Sequence, residues 1–187
     1  PFSSLRFFNK HKKSYKKKLA EGRTLLRFAA EIYETQVTNG RHFLHEHPVG
    51  ASSWKEACIK KLAMHPTVGV TIADLCQYGM QSVDRDGTKH AVRKSTRFLC
   101  TSKLVLDQLG DRCKGEHEHK TLIDGRPKAA AIYPPQLCRA IIRGIEAERQ
   151  KIGIVIPSGL LSSLEAGCAL YNLGPEEVVL EEDPVGT

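Results

Sequence analysis

Two stretches of this chain hold side chains able to do chemistry. The first is Arg41-His42-Phe43-Leu44-His45-Glu46-His47-Pro48, where a glutamate stands among three histidines. Either a metal is gathered there, or a carboxylate at the end of a buried strand works on a substrate. The flanks favour the carboxylate: Phe43 and Leu44 begin a short strand, and Pro48 with Gly50 turns the chain. In open α/β sheets ligands bind outside the carboxyl ends of strands, where Glu46 is expected to fall. Partly shielded from water, such a carboxyl has a raised pKa and can give a proton or hydrogen bond to a ring nitrogen. His45 and His47 alternate with Glu46 along the strand, so they face the other way and receive no ligand role.

The second stretch is Cys113-x-x-x-His117-x-His119, which with Cys100 makes a set of two thiols and two imidazoles. Those donors suit zinc, and four of them close a tetrahedral structural site. Cys76 is an equal candidate for the fourth place if Cys100 faces the core of its strand. A third feature is the run Lys10, Lys12, Lys13, Lys16, Lys17 and Lys18, which can neutralise phosphates of DNA or RNA; the alternative is a solvated loop. Two metalloenzyme classes are excluded, because no Pro-Cys-x-x-Cys follows the His-x-Glu of a deaminase and no His-Glu-x-x-His is present.

These residues need a scaffold. Leu25, Phe28, Ala29, Ile32 and Tyr33 recur at three- and four-residue spacing, predicting an amphipathic helix over 22–38 that Gly40 ends. Ser53 and Glu56 form a capping box for a helix that carries Trp54, Cys58, Ile59 and Leu62 and stops before Pro66, with Trp54 a packing anchor. Val68, Val70 and Ile72 alternate as in a strand, another strand is expected over 97–101, and the polar 78–94 reads as a loop. Ser102 caps a helix that Gly110 stops, and Pro134-Pro135 opens one running through Ile145. Strands and helices taking turns predict an α/β sheet with helices on its faces.

A 187-residue chain, 41% hydrophobic and 26% charged, has the composition of one globular domain. No apolar run reaches the roughly 18 residues of a membrane span and no signal peptide is recognisable, so an intracellular protein, cytoplasmic or nuclear and with no membrane partner, is expected. The scattered cysteines read as reduced thiols. Residues 176–187 hold five acids and no Lys or Arg, which against a net +7 leaves about +12 on the rest; the chain is expected to divide into a domain over 1–150 and a linker with an acidic tail over 151–187. The start at Pro1 is read as a piece of something longer.

In order along the chain, these segments resemble a family. Pro1-Phe2-Ser3-Ser4 is similar to the tail of the Pro-Cys-x-x-Phe-Ser loop of cytosine-C5 DNA methyltransferases, and Phe43-Leu44-His45-Glu46-His47-Pro48 to their strand ending in Glu-Asn-Val. Ala73-Asp74-Leu75-Cys76-Gln77-Tyr78-Gly79 followed by Arg93-Lys94-Ser95-Thr96-Arg97-Phe98 resembles their Asn-Ala-x-x-Tyr-Gly…Gln-x-Arg-x-Arg segment, in a Lys-x-Thr variant. Residues 130–142 stand where the last motif packs against the cofactor site. The ensemble, over about 1–147, most resembles the methyltransferase-like segment in copia-type retrotransposon polyproteins of dinoflagellates and similar protists.

The resemblance implies a partial Rossmann-like, class I methyltransferase-like sheet flanked by helices, with S-adenosylmethionine as cofactor and DNA or RNA and the rest of the parent polyprotein as partners. It implies that Glu46 holds the N3 and amino edge of an extruded cytosine while a cysteine attacks C6. Arg97, or Arg93 or Lys94 if the alignment slips, would contact the base or a neighbouring phosphate. The nucleophilic cysteine and the glycine-rich cofactor turn of the family fall outside these residues, and His47 and Pro48 replace the family's Asn and Val. The chain alone is therefore expected not to methylate, and a non-catalytic nucleic-acid-binding or scaffolding module is the rival expectation. Adenine as acceptor stays open.

Overall fold

The computed structural model describes residues 2, 14–84, 86–120 and 133–153. All belong to one compact unit, Pro1–Val155. Lys10, Lys12, Lys13, Cys168 and the acidic tail lie outside the described residues.

Helix α1 spans Tyr15–Thr38, strand β1 Leu44–Pro48, a 3-10 turn Ser52–Lys55, and helix α2 Ala57–Ala63. Strand β2 covers Gly69–Asp74 and runs into a second 3-10 turn, Leu75–Tyr78. A hairpin of β3 (Gln81–Val83) and β4 (Lys89–Ala91) follows, then β5 (Ser95–Cys100), helix α3 (Lys103–Asp107) and helix α4 (Pro135–Lys151). The result is a mixed α/β fold around a small sheet. Among the described residues no helix is long and apolar enough to cross a membrane.

The sheet has the order β1-β5-β2, and both outer strands run antiparallel to β5. The two outer strands, linked through α2, are therefore parallel to one another, with the later strand inserted between them. Residues opposed in an antiparallel pair share a face, and neighbours along a strand alternate. Register thus sorts the sheet into two surfaces. On one, Phe98, Cys100 and Ala73 pack with Val105 and Leu106 of α3 and with Leu137 and Ala140 of α4. On the other, Leu99 packs with Leu26 and Ala30 of α1 and Ile59 and Leu62 of α2.

Several local expectations change. The lysine-rich segment at 16–18 is helical, because α1 begins seven residues before Gly22, at Tyr15, and Leu19 packs against the core. Its buried stripe is Leu26, Ala30, Tyr33 and Val37, whereas Leu25, Phe28 and Ile32 stay 68%, 60% and 45% exposed. Apolar residues occupy more than one side of α1, so periodicity identified the helix and chose the wrong face. The Ser53 capping box does not form: Ser53 lies in the 3-10 turn with its hydroxyl 2.9 Å from His47 Nδ1, and Glu56 takes the N-cap place and receives Arg23 Nε at 3.0 Å. Part of the expected 78–94 loop is the β3–β4 hairpin. Ser102 caps α3 as expected, accepting the Val105 amide, and Pro135 opens α4. Gly144 is what lets α4 reach α3, since a Cβ there would stand 2.5 Å from Val105 Cα.

Candidate functional site

Glu46 sits in the middle of the edge strand β1, opposite Phe98, rather than beyond a strand end. Its side chain lies on the α3–α4 face. Tyr133, just before the Pro134-Pro135 opening of α4, donates its hydroxyl to Glu46 Oε2 at 2.6 Å. Burial, then the adjacent carboxylate, raise the Tyr133 pKa and keep that proton on the phenol. The other oxygen, Glu46 Oε1, is buried with no hydrogen-bond partner among the described residues. Lys94 Nζ lies 5.9 Å above the Tyr133 ring, so a cation reaches the same ledge.

Arg97 does not join Glu46. It pairs in register with His47, which puts it on the opposite face, its guanidinium 5.0 Å over the Trp54 ring and its Nε buried without a partner. Lys94 lies just before β5 and comes near Glu46 by way of Tyr133. Arg93 instead reaches Asp74 at 3.4 Å. Lys16, Lys17 and Lys18 are exposed on α1, which packs on the other side of the sheet.

That other side is aromatic and histidine-rich. His45 is 6% exposed, with Nδ1 3.3 Å from the Tyr33 hydroxyl, Nε2 unpartnered, and its ring edge-on to Trp54 and His47. Burial, with the neighbouring His47, lowers its pKa to about 4, so it is a neutral core imidazole. Two hollows, of about 410 and 290 Å³, open on this side, the smaller between Trp54, Ile59 and Arg97.

The thiols and imidazoles meet, with one exchange. Cys76, Cys113, His117 and His119 each offer one donor atom, all within 4.8 Å of one another. Such a cluster is compatible with zinc. Cys100 is not part of it: the cluster gathers where β2 ends at Asp74, opposite Ser95, while Cys100 closes the far end of β5, five residues and about 17 Å along an extended strand. Cys100 is 2% exposed, and its sulfur accepts the Ser102 amide at 3.3 Å.

Asp74 organises this corner. Fully buried, it accepts Ser95 Oγ at 2.5 Å, Arg112 Nε at 2.9 Å and the Cys113 amide at 3.0 Å. Burial alone would raise its pKa, but these donors outweigh it and hold the carboxyl at about 2. The Asp74 amide in turn binds Asp111 O at 2.9 Å, so the carboxylate and its own backbone tie the 111–113 loop to the end of β2. The Gly115 amide donates to Cys113 Sγ at 3.4 Å and is the main influence lowering that thiol's pKa; burial raises Cys76 to about 11.

Sequence reasoning missed Tyr133 and the part played by Asp74. For Tyr133 the available signal was its place immediately before a proline-opened helix; for Asp74 it was an acid closing a strand with no other charged residue.

No protein-family model, curated protein or solved structure matches the chain. Among the described residues the fit to S-adenosylmethionine fails: β1 and β2 each run into a 3-10 turn and β5 enters α3 through Thr101-Ser102, and none of these junctions is a glycine-rich strand-to-helix loop able to cradle the cofactor. No step is assigned to it.

Proposed function

We propose that this chain is the base-recognition part of a DNA cytosine-C5 methyltransferase-like domain of a retroelement polyprotein, with Glu46 receiving the hydrogen-bonding edge of an extruded cytosine. The observation that carries the reading is the buried, unpartnered Glu46 Oε1 beside an Oε2 fixed by Tyr133. A buried acceptor without a donor costs about 1–3 kcal/mol, a cost that an incoming N–H group removes. Cytosine supplies such a group at N4. Lys94, near Glu46 by way of Tyr133, would meet a neighbouring phosphate in this reading. Two parallel strands flanking an antiparallel one also suit a doubly wound sheet with an antiparallel member, which supports the Rossmann-like reading. S-adenosylmethionine and the attacking cysteine would come from elsewhere in such a domain.

The test uses the whole chain and fluorescent DNA duplexes with cytosine or thymine opposite an abasic site, where extrusion is easy. Binding should favour cytosine, and Glu46→Gln should remove the preference; one good paired contact is worth about 1–3 kcal/mol, roughly 5- to 150-fold. Equal binding of both bases, or a preference that survives Glu46→Gln, refutes the role.

The rival, a non-catalytic nucleic-acid-binding or scaffolding module stabilised by zinc, is favoured by the separation of Arg97 from Glu46. It predicts salt-dependent binding with no base preference, weakened by replacing Lys16, Lys17 and Lys18 with glutamine.

A further inference from the structure

We infer that Cys76, Cys113, His117 and His119 form a structural zinc site that fastens the 111–120 loop to the turn after β2, beside the point where Lys120 ties the same loop to the β3–β4 hairpin. The claim rests on the cluster alone and stands whether or not Glu46 binds a base. Tetrahedral zinc with Zn–S of about 2.3 Å and Zn–N of about 2.0–2.1 Å sets sulfur and nitrogen about 3.5 Å apart. Cys113 Sγ lies 3.4 Å from His119 Nε2 and 3.8 Å from His117 Nε2. Both imidazoles thus offer the same kind of nitrogen to one point, and Cys76 completes four donors within 4.8 Å. Two thiolates and two imidazoles select zinc over calcium or magnesium, which take oxygen ligands. With all four places filled by protein, no position is left for a reactive water, which makes the site structural.

The surroundings are those of a held metal site. The Gly115 amide points at Cys113 Sγ from a turn that Gly115 makes at φ +86°, a conformation that disfavours a side chain. Asp74 grips the Cys113 amide and Arg112 from beneath. Such supporting contacts fix ligand geometry and tune affinity. Beyond His119 the loop is fastened again: the Lys120 amide donates to Ala91 O at 2.9 Å, and Lys120 Nζ pairs with Asp84, which also holds His90 at 3.1 Å. The cluster therefore lies between two anchored points, and a metal there would make three short segments one rigid corner. Apart from Cys113 the 111–120 loop has no apolar side chain with which to pack, the situation in which a metal contributes most to order.

The experiment purifies the full chain without chelator, measures metal content, then removes zinc and titrates cobalt(II) as a spectroscopic substitute. The expected result is one zinc per chain and a tetrahedral cobalt spectrum with a thiolate charge-transfer band. Cys76→Ser and Cys113→Ser should each lower affinity at least 10-fold and diminish that band, while Cys100→Ser keeps one metal per chain. Circular dichroism on each variant separates loss of the ligand from loss of the fold. A folded wild-type chain that takes up neither zinc nor cobalt overturns the proposal. So does metal binding that survives Cys76→Ser but is lost in Cys100→Ser.

Discussion

His45 offers the sharpest quantitative test of the packing. Its imidazole is enclosed by Tyr33 from α1, Trp54 from the first 3-10 turn and His47 from its own strand, and Nε2 has no partner. An unfolded histidine titrates near 6.5, and in the fold the value falls to about 4. Because the folded pKa is the lower one, the unfolded chain binds the proton more readily. The contribution is therefore fully present above pH 6.5 and is lost as pH falls toward 4. At about 1.36 kcal/mol per pKa unit, the loss between pH 7 and 4 is about 3 kcal/mol. With a urea slope of about 2 kcal/mol per molar, the midpoint should drop by about 1.5 M more than in a variant that cannot titrate there. The assay is urea unfolding followed by Trp54 fluorescence at several pH values, for wild type and His45→Gln. His47 is shifted in the same direction, by burial first, but it is present in both proteins and largely cancels in the difference. A stability gap between wild type and His45→Gln that is the same at pH 7 and pH 4 would refute a buried neutral imidazole.

Two further outcomes follow from the other face and corner. Asp74→Asn should cost about 3 kcal/mol in chemical denaturation at neutral pH, near the low end for breaking a buried pair because Arg93 and Arg112 reach solvent at 45% and 49% exposure. A midpoint unchanged from wild type would contradict the clamp. Gly144→Ala would gain about 1 kcal/mol in helix propensity, yet the approach to Val105 Cα should make it a net loss of about 1–2 kcal/mol in the same measurement. A stabilised variant would mean that α3 and α4 are not so close.

What the sequence disclosed divides along physical lines. Elements signalled locally came through: the Ser102 cap, the proline start of α4 and the alternation of β2 all depend on neighbours in the chain. The face of α1 did not, because Leu25, Phe28 and Ile32 make as good a stripe as Leu26, Ala30 and Tyr33, and only the position of β1 and α2 selects one. The Ser53 cap failed for a similar reason, since a histidine from β1 took the hydroxyl. Cys113, His117 and His119 were visible as neighbours in one short segment. Whether Cys76 or Cys100 completed them depended on which end of β5 the loop returned to, a long-range fact with no local trace. Likewise the separation of Arg97 from Glu46 required the pairing register, which a single strand does not reveal.

That register has a cost and a safeguard built into one narrow strand. Sliding β1 by a single residue against β5 would thrust the Glu46 carboxylate among Tyr33, Trp54 and Leu99 and present imidazoles to Tyr133 instead. A border strand with so few rungs would ordinarily be free to misalign, but here either misstep strands a charge in hydrocarbon. The same alternation that sets acid and histidines back to back thereby makes the wrong pairings self-rejecting, and it keeps the two surfaces open to separate alteration.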